Sequence, residues 1–202
     1  MRLGEKPRTV EQTLWPPPAW QRQLPRFTHE QNGWLYGVWY CGTSFRPARI
    51  HGAYPGDFVK RVLALIPPHG LLHLCCGEWH IPGAVNLDLL PRRAMDVQAD
   101  AEELPFLDQT FENVLIDPPY SAEDATRYGT HRLLSSVAVM REVHRILRPG
   151  GSLLWLDEKY PSYRRQEWQL YGLIAVITGF QRRTRVLSFH RKRVRPIGGH
   201  AL

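Results

Sequence analysis

Cysteine is scarce in this chain. There are three in 202 residues, Cys41, Cys75 and Cys76. Two are adjacent inside an apolar run, and neither a CxxC pair nor a Cys/His ligand set occurs. That argues against a disulfide framework and against a zinc site, and no metal is expected. A reduced, cytoplasmic compartment is the simplest expectation. Long apolar runs are missing too. GLIAVITGF (172–180) falls far short of the roughly 20 residues that cross a bilayer, so no membrane partner is expected. The opening MRLGEKPRTV has no apolar core of the kind a signal peptide needs. Internal repeats and long low-complexity tracts are absent.

What is present bounds the class. The chain is 43% hydrophobic and 22% charged, enough for one compact domain with a core. Seven Trp and eight Tyr argue against wholesale disorder. Lys and Arg number 26 against 19 Asp and Glu, a net charge of +7. That balance suits a polyanionic partner, and an ordinary solvated surface explains it equally well.

Residues 1–50 read as an irregular, aromatic and proline-rich segment, and 51–202 as the main domain. WPPPAW (15–20) excludes helix, while WLYGVWYCG (34–42) fits a strand or an aromatic surface. DFVKRVLALI (57–66) has a helical apolar stripe with Asp57 as the expected N-cap, stopped by PPHG (67–70). Strands are expected at 71–76, 84–90, 95–100, 111–117 and 152–158. A helix is expected over 131–147, another around 163–171, and a final hairpin over 172–179 and 183–193. Strands alternating with helices predict an α/β domain with a mostly parallel sheet and helices on both faces. In such sheets the ligand sits beyond the carboxyl ends of the strands. Cys76-Gly77, Asp88, Asp100 and Asp117 all fall at such ends.

This ordered set resembles the class I S-adenosylmethionine-dependent methyltransferases, a Rossmann-like fold, over roughly residues 51–158. LLHLCCG (71–77) matches the first strand and glycine turn. NLDLL (86–90) matches the second strand, DVQADAEELPF (96–106) the third, LPFLDQTFENV (104–114) the run into the fourth, and REVHRILRPGGSLLWL (141–156) the helix, turn and fifth strand. The resemblance implies S-adenosylmethionine as cofactor. Cys75, Cys76 and Gly77 would form the turn around it. Asp88, with Leu89 beside it, would bind the ribose hydroxyls, and Asp100, with Ala101, the adenine amino group. Tyr54, in HGAYPGDF (51–58), would lie in the segment that closes over the methionine end.

VLIDPPY (114–120) resembles the fourth motif of methyltransferases that modify the exocyclic nitrogen of adenine or cytosine. The chemistry explains the residues. An aromatic amine is a poor nucleophile because its lone pair is delocalised into the ring. Acceptors that bind both N–H groups free that pair. Asp117 can take one bond and the Pro118 carbonyl the other, while Pro118 and Pro119, lacking N–H and fixed in φ, hold the carbonyls in place. Tyr120 offers a face for stacking on an extruded base. No Pro-Cys dipeptide suggests C5 methylation of cytosine.

Arg182, Arg183 and Arg185, with Arg191, Lys192, Arg193 and Arg195, crowd the C-terminal part, and Arg164 and Arg165 follow the fifth strand. These are candidate phosphate contacts, or a solubilising tail. His73 and His144 sit in apolar patterns and read as core histidines. The first motif departs from the family. His73 stands where an acid is usual, Cys75 and Trp79 where glycine is, and Asp88 follows Gly77 by eleven residues, too few for a helix. The expectation is a nucleobase amino-methyltransferase, adenine N6 in DNA first. RNA as substrate, a small-molecule or protein acceptor, and an inactive nucleic-acid-binding module remain open, as do monomer and homodimer.

Overall fold

A computed structural model describes residues 24–42, 54–130, 132–178 and 184–194. Its elements run β1 (Thr28–Gln31), β2 (Trp34–Tyr40), α1 (Phe58–Leu65), β3 (Leu71–Leu74), β4 (Val85–Asp88), β5 (Val97–Gln98), β6 (Phe111–Ile116), α2 (Ala122–Arg127), α3 (Ser136–Ile146), β7 (Leu147–Asp157), β8 (Trp168–Ile177) and β9 (Arg185–Lys192). All strands join one nine-stranded sheet in the order β1-β2-β8-β9-β7-β6-β3-β4-β5. β5, β4, β3, β6 and β7 are mutually parallel, and β9 runs antiparallel between β7 and β8. This is the expected mostly parallel, Rossmann-like α/β sheet with its antiparallel C-terminal hairpin.

Two apolar layers hold it together. On one face α1 presents Phe58, Val59 and Val62 to Trp39, Leu71, Leu154, Ile174 and Phe189. On the other, α3 presents Val139, Met140, Val143 and Ile146 to Leu72, Val114, Ile116 and Leu153. Each such side chain, fully buried, contributes about 1.5–3 kcal/mol. β3 reads Leu-Leu-His-Leu and is buried at all four positions, as a central parallel strand must be.

Several expectations are corrected. Residues 28–40 are not irregular. They form a hairpin whose two-residue turn, Asn32-Gly33, puts both residues at positive φ (52° and 75°), as an Asn-Gly turn allows. β2 then pairs parallel to β8, extending the domain's own sheet. WPPPAW lies outside the described residues. Asp57 occupies the N-cap position of α1 as expected, but its side chain makes no capping bond; its carboxylate accepts from Arg61 Nε at 2.8 Å. α3 starts at Ser136 rather than 131, because Ser135 caps it by accepting from the Ala138 amide. The helix expected around 163–171 does not form. A turn at 164–167 leads into β8, where Trp168, Gln169 and Leu170 are held in register with Lys192, Arg191 and His190. Sheet pairing and the burial of Trp168 override the local pattern.

Gly172 lies where β2 and β8 meet. A Cβ there would come within 2.7 Å of the Leu35 Cβ and 2.8 Å of the Leu35 carbonyl oxygen. Gly172→Ala is therefore expected to cost about 1–3 kcal/mol, read as a lower urea midpoint. An unchanged midpoint would show that β2 does not press on β8 in solution.

Candidate active site

β3, β4 and β6 lie side by side and parallel, so Leu74, Asp88 and Ile116 end at one edge of the sheet. The loops beyond them enclose a cavity of about 430 Å³, within the roughly 300–1,000 Å³ typical of small-ligand sites. At one end stand Asp88 and Asp100, at the other Asp117, Pro118, Pro119 and Tyr120. Cys75, Gly77, Leu89 and Ala101 also line it.

The compressed loop 75–84 has no helix, and a buried polar hub replaces one. Asn86 Oδ1 accepts from the Ile81 amide at 2.9 Å and from His73 Nδ1 at 3.0 Å. Its Nδ2 donates to the Ile81 and Ala84 carbonyls at 3.2 and 3.3 Å and to Asp96 at 2.8 Å. With Nδ1 donating, His73 Nε2 accepts from the Tyr54 hydroxyl at 2.9 Å. His73 is thus a core histidine, its pKa pushed down to about 4 by burial.

Asp88 is the anchor of the turn. One oxygen accepts from the Gly77 amide at 2.9 Å and the other from the Leu90 amide at 3.1 Å. A carboxylate has about four acceptor sites, so two remain for vicinal hydroxyls. Arg92 Nε approaches Asp88 at 3.9 Å, and Arg92 Nη2 donates to the Tyr128 carbonyl at 2.8 Å. Asp100 accepts from the Glu102 amide at 2.9 Å and is also gripped by Arg132, whose other nitrogen donates to Glu102 at 2.8 Å. Cys76 is buried and does not line the cavity, and burial pushes its thiol up to about 12. Tyr54 does not line the cavity either. Its ring stacks on Phe58 at 5.0 Å, with its hydroxyl turned to His73.

At the other end the Tyr120 hydroxyl donates to Asp117 and accepts from Arg185 Nη1 at 3.0 Å. Arg185 lies 3.8 Å from the Asp117 carboxylate. Burial pushes the Asp117 carboxyl up to about 6, although Arg185 and the Tyr120 bond both oppose the rise.

None of the other described candidate phosphate contacts lines this cavity. Arg164 and Arg165 are exposed, and Arg164 pairs with Glu167 at 3.4 Å. Arg191 packs over Tyr171, Lys192 donates to the Leu147 carbonyl and Arg193 to that of Trp168. Arg182, Arg183 and Arg195 lie outside the described residues. Arg185, Arg191 and Lys192 lie within β9 and are half-buried or buried, whereas Arg193, beyond the strand, is exposed. Arg92, Tyr128 and Arg132 line the cavity and went unrecognised in the sequence. A cue existed for α2 alone, since Ser121, three residues before Asp124, caps it by accepting the Asp124 amide.

No protein-family model matches the chain. It is similar to the ubiquinone/menaquinone biosynthesis C-methyltransferase UbiE of Hahella chejuensis, 32% identical over 111 residues, covering 53% of this chain and 41% of that protein. It is also similar to UbiE of Coxiella burnetii, 26% identical over 116 residues, covering 53% and 40%. The chain thus spans well under half the length of these curated relatives. Among solved structures, TrmN from Thermus thermophilus is 14% identical with a TM-score of 0.46, covering 71% of this chain and 51% of that one.

The buried groups set a pH dependence of stability. Burial lowers His73 and His190 from 6.5 to about 4, so the folded chain refuses protons that the unfolded chain takes up. Their contribution is lost as pH falls from about 6.5 to 4. Asp117 acts the other way: its folded carboxyl keeps a proton up to about 6, so its contribution is lost as pH rises from 3.8 to 6. Urea unfolding across pH 4–6.5 is expected to show stability rising with pH, and rising more steeply in Asp117→Asn. Equal slopes in the two proteins would contradict the Asp117 assignment.

Proposed function

We propose that this chain is an S-adenosylmethionine-dependent methyltransferase whose acceptor is the exocyclic amino group of a nucleobase, adenine N6 in DNA first and the same group in RNA second. The observation that carries the reading is that one cavity joins the paired acids Asp88 and Asp100 to Asp117-Pro118-Pro119-Tyr120. When bound, S-adenosylmethionine supplies a methyl group on a positively charged sulfur, open to in-line attack by a lone pair.

The chain's own residues fit that group. Asp88 keeps two acceptor positions for ribose hydroxyls while its amide bonds fix its orientation. Asp100 takes the adenine amino group once Arg132 releases it. The acids also favour a cationic ligand. Asp117 and the Pro118 carbonyl accept the two N–H groups of the acceptor amine and leave its lone pair facing the methyl donor. The nitrogen gains the methyl group and then loses a proton. Asp117, with its pKa raised to about 6, can receive that proton and pass it to water.

A second reading has its own support. A carboxyl of pKa about 6 beside a guanidinium can also deprotonate a ring hydroxyl and hold the resulting oxyanion. That would serve methyl transfer to the carbon of a hydroxylated aromatic ring, in keeping with relatives named as quinone-biosynthesis C-methyltransferases.

Labelled S-adenosylmethionine incubated with duplex DNA, single-stranded DNA, transfer RNA and a hydroxylated aromatic acceptor separates these readings. The expected product is N6-methyladenine or N4-methylcytosine. Its rate should rise through pH about 6 and fall by about 10²–10³ in Asp117→Ala, the scale of losing a preorganised polar group. Methyl carbon on the aromatic ring instead would favour the second reading. Asp88→Ala is expected to weaken cofactor binding tenfold or more by calorimetry, about 1.4 kcal/mol. Unchanged affinity would remove Asp88 from the site.

A further inference from the structure

Arg185 enters the sheet at the start of β9, opposite Val176 of β8. Its side chain is 13% exposed, and it lines the cavity beside Asp117 and Tyr120. Burying a guanidinium is costly unless its charge and donors are matched. Its described contacts here are one hydrogen bond to the Tyr120 hydroxyl and a separation of 3.8 Å from Asp117. At that separation cation and carboxylate stand side by side instead of capping each other. One group bridges them. The Tyr120 hydroxyl gives its proton to Asp117 and receives one from Arg185. The site thus holds a donor and an acceptor in adjacent places, filled by a hydroxyl that is both.

A ligand that takes the place of that hydroxyl must bring the same pair, a donor for Asp117 and a neighbouring acceptor for Arg185. An exocyclic amine beside a ring nitrogen is such a pair: N6 with N1 or N7 in adenine, N4 with N3 in cytosine. Bidentate reading of N6 with N7 is an established way for a protein to distinguish adenine. We propose that Arg185 is a specificity-determining residue that donates to the ring nitrogen next to the methylated amine, so that Asp117 and Arg185 together select an amine flanked by a ring nitrogen. This rests on the nucleobase reading above and narrows its acceptor. It also assigns Arg185 a task other than gripping phosphates. Displacement of the hydroxyl frees the Tyr120 ring to turn onto the base face.

The test compares oligonucleotides carrying adenine, 1-deazaadenine or 7-deazaadenine, and cytosine or 3-deazacytosine, in which CH replaces the ring nitrogen and the amine is kept. The wild-type protein is expected to lose at least tenfold in kcat/KM on 3-deazacytosine or on one of the two deazaadenines. Arg185→Met, checked for unchanged cofactor affinity, is expected to lose a similar factor on the natural base and to treat natural and deaza acceptors alike. The wild-type comparison needs no variant and stands if Arg185→Met fails to fold. Equal wild-type rates on natural and all deaza acceptors would overturn the proposal while leaving nucleobase methylation intact. So would discrimination that survives in Arg185→Met. Failure to methylate any nucleobase overturns the proposal and the function reading together.

Discussion

The side chain of Asn86 is the contact on which the site's geometry depends. In the methyltransferases that this sequence resembles, a helix usually separates the first two strands. Here eleven residues separate Gly77 from Asp88, and no helix forms between β3 and β4. The loop must still satisfy the backbone polar groups at its buried points, Cys76 and Ile81. Asn86 does this at the base of the loop, through the Ile81 amide and the Ile81 and Ala84 carbonyls, while His73 and Asp96 fix its own orientation. The residue at position 73, where the methyltransferases this sequence resembles have an acid, then has a clear structural task. A neutral histidine accepts from Tyr54 and donates to Asn86, linking α1's end of the core to the turn. The polar chain is fully satisfied, which is what a low-dielectric interior demands.

From that base the rest follows by register. Parallel pairing of β4, β3 and β6 brings three strand ends to one edge: β4 ends at Asp88, β6 leads directly into Asp117, and β3 leads into the Cys75-Cys76-Gly77 turn. Asp88 turns back to hold the Gly77 amide, so the glycine turn and the acid proposed to hold the ribose form a single unit. At β6 the order Asp-Pro-Pro-Tyr fixes a backbone that cannot donate at two successive positions. β9, running antiparallel beside β7, delivers Arg185 into the same space from the far side of the chain. Strand order, more than sequence proximity, brings Asp117, Tyr120 and Arg185 together in the cavity.

Much of this was legible in the sequence. The central strands were readable because continuous apolar runs such as Val114-Leu115-Ile116 end in polar punctuation. Asp88, Asp100, Asp117 and Gly77 were readable because a strand end fixes where a side chain must go. The β1–β2 hairpin was signalled by Asn32-Gly33 and overlooked among aromatic neighbours. The helix expected near 163–171 failed because Trp168 gains more from the sheet and core than the segment gains from local helix. Arg132 and Arg92 were not legible at all. Their place at the cavity depends on loops crossing from α2 and β4, contacts that no local pattern encodes. Arg185 stood out as one of several cations, and only the pairing of β9 with β7 and β8 separates it from the others.

The most direct measurement of the central claim is a crystal structure of this chain with S-adenosylhomocysteine. The account predicts the ribose hydroxyls on Asp88 and the adenine amino group on Asp100, with Arg132 moved off that carboxylate and the sulfur facing Asp117-Pro118. A ligand bound elsewhere, or Asp88 left holding only the Gly77 and Leu90 amides at saturating ligand, would contradict it.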